Sequence, residues 1–376
     1  MKCKICGNSD ESYFYLGSKG YYCRRCIEFR YSLLDQDLDK YDIELPLDYE
    51  YSLGFDLTAD QKYISKQLLD NYLDNNLLVW AVCGAGKTEI VLQMIKDAFS
   101  RGLRVGWAIP RRSVVVQLHE RLCSYFPHIN ISLVCQGHHE DIFQSFVVCT
   151  THQLYNFSHY FDLLIIDEPD AFPFKGNELL QDIALNSCQG KIVYLSATPD
   201  QFVFDHVDHV FELNSRPFNN KLIVPREYRV GKVLGYMYLF WLVNKLIKKR
   251  QPLLVFMPTI KLANELNKVM RLFYRCDVIT SHTDNKELII ERLIDGSVDF
   301  LLTTTILERG VTIKGVNIIV FNADHQVFDM SSLIQIVGRV GRSRECLTGD
   351  ACLITFRKDS EVVSCIDYLL KVNKSV

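Results

Sequence analysis

Short apolar runs and stretches with helical spacing alternate along most of the chain. The run at residues 77–82 is continuously apolar and leads into a glycine-rich loop. Beyond that loop, apolar residues return with helical spacing at Ile90, Val91, Met94, Ile95 and Ala98. A second apolar run, at residues 163–166, ends in a cluster of acidic residues. Continuous runs of this length, bounded by turns, predict buried strands.

The same alternation begins again in the second half of the chain. Apolar runs occupy residues 253–257, 300–304, 317–321 and 351–356, with helical stretches such as 261–273 and 286–294 between them. Strands that alternate with helices are typical of parallel α/β sheets. We therefore predict two tandem parallel-sheet α/β domains, at residues 55–215 and 216–376.

Four cysteines lie within the first 26 residues, as the pairs Cys3-x2-Cys6 and Cys23-x2-Cys26. Each pair offers two thiolates from one tight turn, and two such turns complete a tetrahedral Zn²⁺ site. We predict a structural zinc module at residues 1–31, with disulfides or unliganded thiols as the alternatives. Basic residues alternate with aromatic residues around the cysteines, a pattern that suits a nucleic-acid strand. The alternative is a solvated basic surface over a small aromatic core.

Composition and charge narrow the class of protein. The 376 residues are 48% hydrophobic, which excludes a disordered chain, and no apolar run reaches the roughly 18–20 residues of a membrane span. No signal peptide is evident, so we expect a protein of the reducing cytoplasm. The net charge of −3 divides into +3 for residues 1–31, −8 for residues 32–60 and +2 for the remainder. We therefore predict an acidic connector at residues 32–54, and the total charge does not exclude a local basic groove for nucleic acid.

The glycine-rich loop after the first apolar run has the chemistry of a phosphate site. Its residues are Gly84, Ala85, Gly86, Lys87 and Thr88. In the strand–loop–helix context, backbone N–H groups and the helix N-terminus cradle phosphates. We predict that Lys87 reaches the β- and γ-phosphates of a nucleotide and that the Thr88 hydroxyl holds Mg²⁺.

Acidic residues follow the second apolar run, at the expected carboxyl end of a strand. Asp167 is placed to position Mg²⁺, directly or through water, and Glu168 to orient or deprotonate an attacking water. The alternative is an acidic cluster that serves only a turn. The phosphate loop upstream favours the catalytic interpretation.

These elements, in this order, resemble motifs I, II and III of superfamily 2 helicases, the third being Ser196-Ala-Thr198. The resemblance implies that Ser196 and Thr198 couple nucleotide state to domain closure and that Gln61 reads the adenine edge. The alternatives are a turn at a strand end and an ordinary exposed glutamine. The resemblance also implies that side chains of two further motifs contact the phosphates of a nucleic-acid strand. These side chains are those of Arg111, Arg112, Thr150 and Thr151.

Two segments in the second half complete the resemblance. Residues 304–312 resemble motif V, which implies a nucleic-acid contact at Thr304, and residues 335–342 match the pattern QxxGRxGR of motif VI. Arg339 and Arg342 lie three positions apart, so we expect one helical turn to aim both the same way. The resemblance implies that they act as arginine fingers, worth about 10³–10⁵ in rate, and that Gln335 senses the nucleotide. The alternative is a basic helix end that binds phosphate generically.

The implied fold is a pair of tandem RecA-like domains preceded by the zinc-binding module. More narrowly, the cysteine module, residues 150–154, residues 167–173 and the motif V segment resemble the ComFA family of late-competence ATPases. This implies ATP, Mg²⁺ and Zn²⁺ as cofactors and an ATP-dependent translocase that internalises single-stranded transforming DNA. The implied partners are single-stranded DNA and competence proteins at the cytoplasmic face of the membrane. The protein itself is expected in the cytoplasm or bound peripherally to the inner face of the membrane. A homo-oligomer is a further expectation.

Three other functions are compatible with the sequence. A DNA helicase of replication restart or repair, and an RNA helicase, share the same motifs. A zinc adaptor that uses ATP only as a conformational switch is the non-enzymatic alternative.

Overall fold

Two structural units make up the chain. The computed structural model describes residues 1–18, 20–29, 48–138, 142–217, 221–308, 313–342 and 346–374, so most of the predicted connector lies outside the described residues. The first unit comprises Met1–Ala81 and Gly86–Leu213. The second comprises Val82–Ala85 and Asn214–Val376.

A seven-stranded parallel sheet forms the centre of the first unit, with the strand order β5-β6-β4-β7-β8-β3-β9. The strands of this unit, including a separate hairpin of β1 and β2, are β1 (Phe14–Gly17), β2 (Gly20–Cys23), β3 (Leu77–Ala81), β4 (Val105–Ile109), β5 (Ile131–Val134), β6 (Phe146–Thr150), β7 (Phe161–Asp167), β8 (Cys188–Ser196) and β9 (His209–Leu213). Strands β4 and β6 are buried along their whole length, as expected for apolar runs in the middle of a parallel sheet.

Polar side chains set where several helices of the first unit begin. Thr58 and Gln61 form a reciprocal capping box at the start of the first helix, and Asn177 and Asp200 cap two later ones. The helices are α1 (Ala59–Asn71), α2 (Lys87–Ile90), α3 (Leu92–Ser100), α4 (Arg112–Tyr125), α5 (Glu178–Ser187) and α6 (Gln201–Asp205). The helical stretch predicted after the phosphate loop is thus divided at Val91 into α2 and α3.

A second parallel sheet forms the centre of the second unit, with the strand order β10-β15-β14-β11-β13-β12. Its strands are β10 (Arg226–Arg229), β11 (Leu253–Phe256), β12 (Cys276–Ile279), β13 (Phe300–Thr303), β14 (Asn317–Phe321) and β15 (Ala351–Thr355). Its helices are α7 (Lys232–Ile247), α8 (Ile260–Met270), α9 (Lys286–Ile294), α10 (Met330–Val337) and α11 (Ser360–Lys374). The prediction of two parallel-sheet α/β domains is therefore confirmed.

The longest of the described helices is too short to cross a bilayer. Helix α7 has 16 residues, fewer than the roughly 20 that a membrane span needs. Among the described residues, no helix combines the length and the hydropathy of a transmembrane segment.

The cysteine-containing module shares its core with the first unit. Its antiparallel hairpin, β1 with β2, is too small to enclose an apolar core of its own. Instead Ile5 and Phe14 belong to the same buried cluster as Leu180 and Ile183 of α5. The module is therefore built onto the first parallel-sheet unit and is not a separate body.

Polar contacts fix the module on helix α5. The Asn186 side-chain amide donates to the carbonyl of Ile5 at 3.1 Å and also to the carbonyl of Lys4. Arg25 forms an ion pair with Asp182, with 2.5 Å between Nη1 and Oδ2. Because Asn186 is 8% exposed, its loss would leave two buried carbonyls without this donor.

Aromatic rings extend the contact beyond α5. The ring of Phe29 lies 5.7 Å from the ring of Tyr155 and 6.2 Å from that of His152, centroid to centroid. Both partners belong to the 3₁₀ turn Thr151–Asn156, which follows β6. The module therefore also supports the segment in which the sequence predicts a nucleic-acid contact.

We expect Asn186→Ala to loosen the module while leaving the two sheets folded. An unsatisfied buried carbonyl costs about 1–3 kcal/mol, so amide hydrogen exchange within residues 3–17 should become at least about fivefold faster. Asn75→Ala is the matched control, because Asn75 also donates its amide to a carbonyl, that of Asn71, but lies between α1 and β3 and outside the module. Exchange rates that are equal in the two variants would contradict the assignment.

Candidate functional site

Three neighbouring strands of the first unit end beside one another and bring the predicted nucleotide-binding residues together. Strands β7, β8 and β3 are adjacent and parallel, so their carboxyl ends lie at the same edge of the sheet. Asp167 is the last residue of β7, Ser196 is the last of β8, and Lys87 follows β3 through the phosphate loop. Residues from three distant parts of the sequence thus converge because of strand pairing alone.

The second half of the phosphate loop has the backbone conformation that only glycine adopts readily. Gly86 has φ of +84° and directly precedes α2. A side chain at Gly86 would collide with the amide of Gln61, which is buried and whose Oε1 accepts from the Thr58 N–H at 2.9 Å. Gln61 is therefore not the exposed residue of the alternative interpretation, and its adenine contact stays a prediction.

Lys87 and Thr88 both have hydrogen-bond partners within the first unit. Lys87 Nζ donates to the carbonyl of Ala81 at 3.4 Å. The Thr88 hydroxyl accepts from Arg121 Nη2 at 2.5 Å. Arg121 also lies 3.9 Å from the carboxylate of Glu89. No pattern in the sequence points to Arg121, because it lies 33 positions from Thr88 and is exposed on helix α4.

Burial makes the Asp167 carboxylate unusually easy to protonate. Removal from water, followed by repulsion from Glu168, raises the pKa of Asp167 to about 7, whereas Lys87 and Arg121 act to lower it. Additional positive charge would therefore stabilise the carboxylate. The adjacent carboxyl and hydroxyl oxygens are the ligands that Mg²⁺ prefers, so the donor set at this edge fits that ion.

Glu168 has a backbone conformation that is uncommon outside functional sites. Its φ is +57°, in the left-handed region that non-glycine residues rarely occupy. Its N–H donates to the carbonyl of Leu195 at 2.9 Å, which ties the end of β7 to β8. Backbone strain of this kind is concentrated at active sites, and it agrees with a catalytic role for Glu168.

Asp170 joins the acidic motif to the predicted coupling residues. Its two carboxylate oxygens accept from the hydroxyls of Ser196, at 2.6 Å, and Thr198, at 2.8 Å. The Thr198 N–H in turn donates to Ser196 Oγ at 3.0 Å. Sequence reasoning missed this role, although Asp170 stands in the same short motif as Asp167. Because Asp170 is almost fully buried and accepts from both hydroxyls, a displacement of Asp170 also moves Ser196 and Thr198.

The side chains predicted to contact nucleic acid differ in exposure. Arg112 is exposed, and its Nε donates to the carbonyl of Gln136 at 2.9 Å. Arg111 is half-buried at the start of α4, whereas Thr150 and Thr151 are buried. The two threonine side chains offer little surface to a ligand. The nucleic-acid contacts of all four residues stay predictions.

In the second unit, the predicted arginine fingers do not share a helical turn. Helix α10 ends at Val337, before both arginines, and Gly341 between them has φ of +67°. Arg339 is buried and Arg342 is exposed. The expectation that one helical turn aims both the same way is therefore wrong, because the helix ends before both arginines and the left-handed conformation of Gly341 separates them.

Two other predicted residues of the second unit are also located. Gln335 is buried on α10, where its Oε1 accepts from the Cys83 thiol of the same unit at 3.0 Å. Thr304 directly follows β13 and is half-buried. Residues 309–312 of the predicted motif lie outside the described residues.

The four N-terminal cysteines converge on one point. The sulfur atoms of Cys3, Cys6, Cys23 and Cys26 all lie within 4.8 Å of one another, and all four residues are buried and free of disulfides. The Cys3–Cys26 and Cys6–Cys23 sulfur distances are 3.5 and 3.9 Å. A tetrahedral ZnS₄ site with Zn–S bonds of about 2.3 Å needs sulfur separations of about 3.8 Å, so the cluster fits such an ion.

An outer hydrogen bond also supports a metal at the cluster. The Asn8 amide donates to Cys23 Sγ at 3.9 Å and to the carbonyl of Asp10 at 3.1 Å. Donors of this kind orient metal-binding thiolates and stabilise their negative charge. The cluster can therefore hold a metal ion with four protein ligands, an arrangement typical of structural sites.

Comparisons with known proteins agree with this architecture. Residues 54–201 match the family "Type III restriction enzyme, res subunit", and residues 238–344 match "Helicase conserved C-terminal domain". Among solved structures, S. cerevisiae Dbp5 bound to RNA and ADP BeF3 is similar in fold, with a TM-score of 0.63 at 19% identity over 85% of this chain and 88% of that one. That likeness supports the fold described above.

Two curated relatives match almost the whole chain, including the cysteine module. Competence protein ComFA of Bacillus subtilis (strain 168) is 32% identical over 99% of this chain and 86% of its own length. Competence protein ComFA of Streptococcus pneumoniae is 33% identical over 99% of this chain and 90% of its own length. Together with the helicase domains, these matches make the chain a nucleic-acid-dependent ATPase. It belongs to the ComFA family.

Proposed function

We propose that this protein is an ATP-driven motor that moves along single-stranded DNA and internalises transforming DNA during competence. The observation that carries the proposal is the combination of a nucleotide site in the first unit with a cysteine module built onto the same unit. The curated competence proteins match both parts. We further propose that it works in the cytoplasm or at the inner face of the membrane, with other competence proteins.

The residues at the carboxyl edge of the first sheet have separate roles in this proposal. Lys87 neutralises the phosphates of ATP, and Thr88 and Asp167 hold Mg²⁺, which supplies further charge neutralisation. Glu168 orients the attacking water and accepts its proton. In the second unit, Arg339 and Arg342 stabilise the negative charge that builds on the γ-phosphate, and Gln335 senses the nucleotide.

The cysteine module serves both as a structural element and as part of the nucleic-acid grip. We propose that Zn²⁺ binds the four cysteines and supplies folding free energy that the small module lacks. The Arg24 guanidinium lies 3.4 Å above the ring of Tyr15, and Tyr13 and Tyr21 are exposed nearby. Such a surface offers positive charge to phosphates and rings for base stacking.

We expect single-stranded DNA to stimulate ATP hydrolysis by the full chain more than duplex DNA or RNA does, at one stated salt concentration. Lys87→Ala should lower the stimulated rate by about 10²-fold or more, because it removes a charge that acts on the phosphates. Lys261→Ala is the control, since that lysine is exposed in the second unit and should leave the rate unchanged. Normal stimulated hydrolysis by Lys87→Ala would refute the proposed site.

The same assay separates the alternative functions. Stronger stimulation by RNA would identify an RNA helicase, and efficient displacement of a strand from forked DNA would identify a restart or repair helicase. Binding of ATP without multiple turnover would identify the adaptor. Each of these results would overturn the proposed transport function.

We expect Asp170→Asn to separate hydrolysis from movement. The amide keeps one accepting oxygen and puts an NH2 group in place of the other, so the hydrogen bond with either Ser196 or Thr198 must reverse its direction and both bonds lose the negative charge of the carboxylate, while Lys87 and Asp167 remain. Hydrolysis should stay within about tenfold of the native rate, whereas displacement of streptavidin from biotinylated single-stranded DNA should be lost. Asp200→Asn is the matched control, because Asp200 caps a helix in the same unit. Parallel losses of both activities in Asp170→Asn would contradict a coupling role.

A further inference from the structure

One buried arginine lies at the end of helix α10, outside every motif of the sequence. Arg216 is 4% exposed. Its Nη1 donates to the carbonyls of Val340, at 2.9 Å, and Gly341, at 3.1 Å, and its Nη2 donates to that of Gly338 at 2.5 Å. A single guanidinium thus binds three carbonyls of the turn in which Arg339 lies.

These carbonyls belong to residues that follow the last residue of α10, so they lie beside the carboxyl end of that helix. The last carbonyls of an α-helix have no partner within it and carry the negative end of the helix dipole. Helix α10 ends at Val337, and the chain then turns through Gly338 and Gly341. The guanidinium supplies hydrogen bonds to the carbonyls of this turn and places positive charge beside the end of the helix.

The turn is tightly confined on its other sides. A Cβ atom at Gly341 would lie 2.7 Å from the carbonyl oxygen of Leu347, and one at Gly338 would lie 2.7 Å from Cβ of Cys83, which belongs to the same unit. The Nε of Arg216 also donates to the carbonyl of Cys83 at 2.8 Å. Arg216 therefore fixes the turn against the segment Val82–Ala85 as well as against α10.

The chemistry of this contact requires a guanidinium. Burial lowers the pKa of Arg216 to about 10, so the side chain is still charged at neutral pH. Four N–H directions are used at once, and they come from all three nitrogens of a rigid, planar group. A lysine ammonium would keep the charge, but it is a single point with three donors.

We propose that Arg216 is a positioning residue for ATP hydrolysis, which sets the path of the turn that carries Arg339 and Arg342. In this role it acts through the backbone that it holds. The inference rests on the proposed function, because it requires that the two motif VI arginines act on the γ-phosphate.

The test is steady-state hydrolysis of ATP by full-length Arg216→Lys in the presence of saturating single-stranded DNA. Misplacement by about 1 Å costs up to about 10²-fold, so we expect kcat to fall by about 10- to 100-fold while KM for ATP changes by less than about threefold. Arg271→Lys is the matched control. Arg271 also donates from Nε to a carbonyl, that of Cys276 at 3.1 Å, but lies at the end of α8. A kcat for Arg216→Lys equal to that of Arg271→Lys would overturn the proposal.

Chemical rescue separates positioning from simple loss of folding. Arg216→Ala leaves a buried space of guanidinium shape. Millimolar guanidinium chloride, which is too dilute to unfold proteins, should therefore raise the kcat of this variant at least about tenfold. Arg271→Ala should show no such recovery. Absence of rescue in an Arg216→Ala protein with native circular dichroism would overturn the proposal.

The result is distinguishable from failure of the proposed function. If Lys87→Ala and Arg339→Ala both hydrolyse ATP normally, the proposed site is wrong whatever Arg216 does. If those two variants are inactive and Arg216→Lys retains full kcat, the site is right and only the positioning role is wrong.

Discussion

Parallel pairing of β7, β8 and β3 is the constraint on which the candidate site depends. Asp167 pairs with Leu195 and Trp80 pairs with Ser196, so all three strands end at one edge of the sheet. A slip of one residue in this register would turn each terminal side chain to the opposite face. The apolar residues that precede them oppose such a slip, because successive side chains on both faces of these strands are buried and a shift would misfit each of them against its packed neighbours. The chemistry at the edge is therefore held in place by the sheet's core.

The same edge collects negative charge that the fold itself only partly balances. Burial and the neighbouring Glu168 raise the pKa of Asp167, and Lys87 and Arg121 oppose that shift. Arg121 also binds the hydroxyl of Thr88, the residue predicted to hold Mg²⁺. A divalent cation bound by Thr88 and Asp167 would compete with Arg121 for the same oxygen. Binding of the metal and the phosphates would therefore change which positive groups neutralise the carboxylates of Asp167 and Glu168.

The sequence alone predicts a group of functional residues when its members lie close together in the chain. The phosphate loop, the Asp167–Glu168 pair and the four cysteines were predicted because each set lies within a few residues or follows a fixed spacing. The links made by Arg121, Asp170, Asn186 and Arg216 were not, since their partners lie 26 to 182 positions away and depend on how the sheets and helices pack. The one local error concerned Arg339 and Arg342. A separation of three positions predicts one helical turn there, but helix α10 ends at Val337, before it reaches them.

Asn186 and Arg216 solve the same physical problem in different places. Tight turns and helix ends expose carbonyls that their own segment cannot satisfy, and burial of such groups without a donor is costly. Asn186 satisfies two carbonyls of the cysteine module, and Arg216 satisfies three at the end of α10. In each case a functional turn takes its shape from a side chain remote in sequence. The geometry of the motifs is therefore not a property of the motifs alone, because a remote donor determines which backbone path has its hydrogen bonds satisfied.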